Sequence, residues 1–378
     1  MRYFFLLCAL FVALTGCKKD KEPLNEQEAK ELQVLGWAQT GDNNILPALW
    51  TEQRQLNFLP IRNDAHYKMN FVHKVDGEHI YFGLEDVHSP ASSKAIMWKG
   101  TAKTILSEKT LNLAQQERIN SWSVNPITND IYILAADLGN FYYYTISNDG
   151  NSVARTAINV GAHGIPVYIQ AIGPDIHLLT VTQVYSDQVT EGKTIIRHLK
   201  NDVLYATYEI ALNEEEYLWN NLQIGSAYIE NNQCHLLAVA DQSLEYFYLQ
   251  LSKNAPVVQR PFQTEGYTPA FGAETGSISS AQGVFENGRF YVAAKKDARD
   301  LACLVIDVKP ATPTTSKVVL EAPAGHTTYT ATRTYKYGED LYLSGVANDF
   351  GVYWKNGKLV VPDKNGLNMS RIAHISFQ

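Results

Sequence analysis

From residue 32 onward the chain alternates apolar and polar residues in short runs, and Gly, Asn, Asp or Pro interrupts these every eight to twelve positions. No long stretch carries the 3.6-residue period of a helix, so the pattern predicts an all-β domain. The clearest unit is the last one. Gly338-Glu339-Asp340-Leu341-Tyr342-Leu343-Ser344-Gly345 is followed by Val352-Tyr353-Trp354-Lys355-Asn356-Gly357-Lys358-Leu359-Val360-Val361. Its Asn356-Gly357 is the dipeptide that reaches positive φ at both central positions of a two-residue hairpin.

The first phrase of that unit recurs upstream as Gln33-Val34-Leu35-Gly36-Trp37, His79-Ile80-Tyr81-Phe82-Gly83, Asp130-Ile131-Tyr132-Ile133-Leu134, Asp175-Ile176-His177-Leu178-Leu179, Gln233-Cys234-His235-Leu236-Leu237 and Arg289-Phe290-Tyr291-Val292-Ala293. With the last unit that makes seven copies. From Leu35 through Tyr81, Tyr132, His177, His235 and Tyr291 to Tyr342 the intervals are 46, 51, 45, 58, 56 and 51 residues. Such spacing suits a blade of four strands, so the repeat predicts a seven-bladed β-propeller over residues 32–378. In each blade the phrase is the second strand, after an innermost one. Next comes a strand that carries Trp or Tyr, then a short outer strand. The first copy begins at the second strand, and a lone strand-like segment, Ser370 to Phe377, ends the chain. The C-terminal strand is therefore expected to close the first blade and remove the open edge of the row. Trp50, Trp98 and Trp354 hold the same third-strand position and are expected between blades.

At the other end, residues 1–16 place one Arg before an apolar run too short to span a bilayer, which reads as a secretory signal. Leu14-Thr15-Gly16-Cys17 resembles the lipobox of bacterial lipoproteins, and the resemblance implies cleavage before Cys17 and its acylation. The charged stretch 17–31 is then a tether, and Lys18 in place of Asp implies the outer rather than the inner membrane. Together with the Tyr-Trp-Lys-Asn-Gly-like hairpin, these features resemble the β-propeller lipoproteins of Gram-negative envelopes, a group without one defined function.

Charge narrows the partners. The formal net charge of −7 becomes −8 once residues 1–16, with one Arg and no acid, are removed, so no basic footprint for nucleic acid exists. Cys234 and Cys303 lie in apolar runs, either as two buried thiols or as a single disulfide, and neither has the spacing of a zinc site.

Loops converge at the mouth of a propeller's channel, where His66, His163 and His326 precede innermost strands and Asp86, Asp137 and Asp187 follow second strands. These admit a divalent cation or a hydrogen-bonded polyol or basic peptide, although Asp in such turns also serves to cap the local backbone. No other cofactor is indicated. Tyr185, Tyr217, Trp219, Tyr267 and Phe271 are rings able to stack on a sugar or anchor a protein, or to pack over the blades. Segments 183–193, 106–119 and 263–278 are longer than the repeat requires. No Gly-x-Ser-x-Gly elbow, His-Glu-x-x-His, phosphate loop or dinucleotide fingerprint occurs. The expected function is that of an envelope lipoprotein, attached to the membrane through its lipid, that binds or scaffolds a glycan or protein without catalysis. The alternative is a glycosidase or lyase using carboxylates at the channel mouth.

Overall fold

Local turn chemistry sets the strands. Among the described residues, four turns that join neighbouring strands place two consecutive residues at positive φ, namely Asn201-Asp202, Asn231-Asn232, Asn287-Gly288 and the expected Asn356-Gly357. That is the turn whose twist matches the flanking strands. Asn356 does more than turn: its Oδ1 accepts from the Leu341 amide at 2.8 Å and its Nδ2 donates to Asp340 Oδ1 at 2.7 Å. Asn201 repeats the device on Ile176 at 2.8 Å and Asp175 at 2.9 Å. Beside each Asn a lysine closes the same corner, Lys355 on Asp340 at 2.9 Å and Lys200 on Asp175 at 2.7 Å. The Asp that opens these two phrases is thus a tie between the second strand and the following hairpin.

The computed structural model describes residues 32–41, 45–51, 56–58, 65–75, 78–87, 92–99, 102–105, 115–116, 118–137, 140–184, 193–211, 222–240, 244–270, 283–297, 299–322, 324–325, 329–364 and 366–377, and their side chains except at 56–71, 74–78, 84–94, 102–120, 137, 184 and 211. These residues form seven sheets, antiparallel apart from the short strand Gln115–Gln116, which pairs parallel with Ser92–Lys99, and the sheets are arranged as a seven-bladed β-propeller. The first sheet is composed of Leu56–Phe58, Ile45–Thr51, Leu32–Thr40 and, innermost, Leu367–Phe377. The C-terminal strand therefore closes the first blade, running antiparallel to Leu32–Thr40 from Leu32 opposite Phe377 to Thr40 opposite Leu367.

The core is divided into wedges. Seven clusters of buried apolar side chains fill seven contacts between adjacent blades, and one of them joins Trp50 and Ile375 of the first blade to Tyr342 and Tyr353 of the last. Second strands are buried on both faces. Leu236 and Ala238 enter the wedge toward the fourth blade, while Leu237 and Val239 enter the wedge toward the sixth. This explains why the repeated phrase is nearly continuous in apolar residues. Trp50, Trp98 and Trp354 lie at 1%, 3% and 0% exposure between blades, as their common position implies. Two of them share a further tie to the preceding blade: Trp50 donates to the Asp363 carbonyl at 3.1 Å and Trp354 to the Glu321 carbonyl at 2.9 Å. Cys234 and Cys303 are free, buried thiols in the fifth and sixth blades. Among the described residues no helix is long and apolar enough to cross a membrane.

Six of the innermost strands carry a register shift at one shared level, and that of the first blade has a second one opposite Gln39 and Thr40. Pairing with the second strand slips by one residue at Ala373, Asn70, Asn120, Val167, Gly225 and Thr332 in blades one to five and seven, a β-bulge at a common level of the ring. Opposite five of these bulges sits a Gly or Ala, and at Gly36 and Gly345 an added Cβ would lie 1.8 Å and 2.1 Å from a carbonyl oxygen of the facing strand. In the sixth blade Thr268–Pro269 and Val284–Glu286 both occupy the inner position, each paired with Arg289–Lys295. Part of the long segment 263–278, Thr268–Pro269, thus already belongs to the inner position, where the sequence places the whole segment ahead of that strand.

Candidate functional site

An inner strand shows one face to the wedge and the other to the axis. In Ile165–Ile172, Val167, Ile169 and Ala171 are buried in the core, and Tyr168 and Gln170 occupy the other face. Side chains on the inner strands of six blades line a cavity of about 270 Å³ on the axis. Trp122 of the third blade, Tyr168 of the fourth, Tyr228 of the fifth and Phe285 of the sixth supply rings to it. Arg333 and Tyr335 of the seventh and His374 of the first complete the lining.

Two packed halves hold these groups. On one side Arg333 reaches from the seventh blade to the third, its guanidinium carbon 4.5 Å from the centroid of the Trp122 ring. It donates to the Ala373 carbonyl at 3.2 Å, which also accepts from the Tyr335 hydroxyl at 3.2 Å. His374 packs edge-on against Trp122 and Tyr335, with centroids 5.6 Å and 5.4 Å apart. On the other side Tyr168 donates to Gln170 Oε1 at 3.0 Å. Gln170 spans to the next blade, accepting from the Ile229 amide at 2.7 Å and donating to its carbonyl at 3.0 Å. Tyr228 lies on Phe285 at 5.1 Å, and Phe285 stacks on His235 at 4.8 Å.

Arg333 carries the charge of this lining. No Asp or Glu is among the described lining residues, and none of the described ion pairs includes Arg333. Burial, with the Arg333 and His73 charges added, pushes His374 down to about 3, so the imidazole is neutral at ordinary pH. Burial likewise raises the Tyr168 and Tyr335 hydroxyls, which stay protonated. The arrangement can hold a ring by its faces and an acid by the guanidinium. A pair of carboxylates for glycoside cleavage is missing from the described lining.

The candidates drawn from the sequence fall elsewhere. His66 and Asp86 lie on strands rather than in loops, in Ala65–Val75 and Glu78–Val87, at directly opposed positions of one sheet. Asp137 is the last residue of Ile131–Asp137. His163 ends the one-turn helix Val160–His163 before the fourth blade, with Nδ1 buried and without a hydrogen-bond partner. Cys17, Tyr185, Asp187, Tyr217, Trp219, Phe271 and His326 lie outside the described residues. Among the described residues no group of three His, Cys, Asp or Glu is placed to hold a metal ion. Tyr267 packs inside, 3% exposed, and donates to Asp300 at 2.6 Å, so it offers no ring to a ligand. Asp297 caps its own turn, accepting from the Arg299 and Asp300 amides at 2.7 Å and 2.9 Å.

The channel rings lie on inner strands and not in the loops to which the sequence assigns its candidates. Their signal is an aromatic residue in the strand before the repeated phrase, as in Ser121-Trp122-Ser123, Val167-Tyr168-Ile169, Ala227-Tyr228-Ile229 and Thr334-Tyr335-Lys336.

The buried imidazoles have a consequence for stability. His73, His177, His198, His235 and His374 are all lowered, in each case first by burial, with His198 at about 4. An unfolded chain takes up these protons near the ordinary value of 6.5, whereas the folded His198 and His374 wait until about 4 and about 3. Their contribution is complete above about pH 6.5 and is lost as pH falls toward those values. Each accounts for up to ~1.4 kcal/mol per pH unit in that window. Urea unfolding at pH 7.5 and 5.0 should show the loss, and equal midpoints would contradict it. The lowered carboxyls of Asp175 and Asp340 respond only at more acid pH, below the ordinary carboxylate value.

No family model matches the chain, and no curated protein matches it. Solved structures do. A puromycin hydrolase aligns over 90% of this chain and 52% of its own, with a TM-score of 0.56 and 10% identity. A puromycin-hydrolyzing peptidase of Mycobacterium tuberculosis aligns over 92% of this chain and 51% of its own, with 0.54 and 9%. The chain spans about half the length of these two structures. The β-propeller domain of the Trilobed protease from Pyrococcus furiosus covers 89% of this chain and 93% of its own at 0.49 and 10%, too loose a likeness to argue from. At these identities the resemblance concerns the fold alone.

Proposed function

We propose that the protein is a cell-envelope lipoprotein, anchored through Cys17 to the outer membrane, whose propeller is a non-catalytic binding module for a glycan or protein ligand. The observation that carries the binding reading is the axial cavity. It gathers rings from six blades around the Arg333 guanidinium and contains no described carboxylate. Ties such as Gln170 to Ile229 cross from blade to blade, so the lining is organised before any ligand arrives, which is how binding sites avoid the entropic cost of ordering. The anchor is supported by the Leu14-Thr15-Gly16-Cys17 sequence.

Two experiments test the reading. Cys17→Ser should move the protein from the membrane fraction to a soluble or unprocessed form, and continued membrane attachment would refute the anchor. The purified full chain, screened against glycans and envelope proteins, should bind without turnover. Release of reducing ends from any glycan would instead establish the carbohydrate-active alternative.

A further inference from the structure

We infer that the axial cavity receives a small ring compound bearing one carboxylate, with the acid on Arg333 and the ring between the aromatic side chains. This rests on the binding reading and specifies the ligand class. A guanidinium has five N–H donors in a planar fork. Arg333 gives the Ala373 carbonyl one of them and hydrogen-bonds the Tyr335 hydroxyl with another, and its guanidinium carbon sits 4.5 Å from the centroid of the Trp122 ring, which leaves further donors on the fork. A half-buried cation without a described acid partner is poorly compensated, and an incoming carboxylate met through two parallel N–H bonds supplies the counter-charge.

The rest of the lining sets the remaining features. Without Asp or Glu among its described residues it has nothing to neutralise a cationic ligand. With one guanidinium among its described residues it matches a monoanion better than a phosphate dianion, which would draw on a second cation. The volume of about 270 Å³ lies just under the ~300–1,000 Å³ usual for small-molecule pockets, which limits the occupant to one ring and its substituents. Trp122, Tyr228, Phe285 and Tyr335 present rings, and ring faces take either an aromatic nucleus or the apolar face of a sugar.

The test uses the full chain in detergent and isothermal titration with four probes: D-glucuronate, benzoate, D-glucose as the sugar without its acid, and inorganic phosphate as an anion without a ring. Glucuronate or benzoate should bind saturably, their order telling a sugar acid from an aromatic acid. Glucose and phosphate should bind at least about tenfold more weakly. Arg333→Gln should lower ring-acid affinity by about tenfold to a hundredfold, the range of a lost charged hydrogen bond. Arg333→Lys keeps the charge but loses the fork, so it should show a smaller loss and supplies the readout if the Gln variant does not fold. Glucose binding as tightly as glucuronate, or ring-acid affinity unchanged in the Arg333 variants, would overturn the inference. If a glycan or protein found in the screen still binds the Arg333→Gln protein with parental affinity, the binding reading stands and only the carboxylate assignment falls. If no probe and no screened partner binds, both fall.

Discussion

A chain cut after Asn368 is expected to aggregate instead of refolding. The cut deletes nearly the whole strand that pairs with Leu32–Thr40 and strips Ile372 and Ile375 from the wedge that joins the first and last blades. It also removes Phe377, stacked 4.6 Å from Tyr337, and the Ser370 hydroxyl that accepts from the Gly351 amide at 2.9 Å. A fully buried apolar side chain contributes ~1.5–3 kcal/mol, so this strand accounts for a large part of the ~5–15 kcal/mol that typically separates a folded domain from its unfolded chain. What remains would present an open inner edge along Leu32–Thr40, a template for pairing with other chains. Size-exclusion chromatography with light scattering should find high-mass species. A monomer that melts cooperatively near the parent temperature would mean the ring does not depend on this closure.

Trp354→Ala should be the most damaging single substitution in the seventh blade, at ~3–5 kcal/mol. The ring is fully buried in the wedge with Leu343 and Cys303, and Gly345 is small enough to pass beneath it, an added Cβ there lying 2.7 Å from Trp354 Cζ3. Removing the indole leaves a cavity between two sheets that cannot collapse, since each is held by its own ladder, and it strips the Glu321 carbonyl of its donor. Trp354→Phe keeps much of the apolar area and loses that bond, so its cost should be near ~1–2 kcal/mol. Urea unfolding of both variants separates cavity from hydrogen bond. Equal losses for Ala and Phe would show that the indole N–H, and not the packing, is what holds the two blades.

How much of this can be read from residues depends on how local the cause is. Asn356-Gly357 announces its turn because positive φ is a property of those two residues, and Trp50, Trp98 and Trp354 announce a wedge because a large ring recurs at one strand position. The sixth blade is harder. Its inner position is divided between Thr268–Pro269 and Val284–Glu286, and strands of two and three residues are too short to show a period, so the intervening length reads as a loop outside the strand. His66 shows the same difficulty at a boundary: the pattern Asp-Ala-His looks like a turn, yet the backbone is already paired from Ala65 onward.

The sequence by itself determined the strand-rich class, the number of blades and the return of the C-terminal strand to the first blade, because alternation, turn residues and repeat spacing are written within a few residues of where they act. Only the tertiary structure decided that Arg333 of the seventh blade lies over Trp122 of the third, and that six inner strands enclose one cavity. Whether an inner-strand residue faces wedge or axis turns on a bulge that shifts the register by one position, and a one-residue shift exchanges the two faces. Which axial residues then meet depends on the closing of the whole ring, a distance of two hundred residues along the chain that no local pattern encodes.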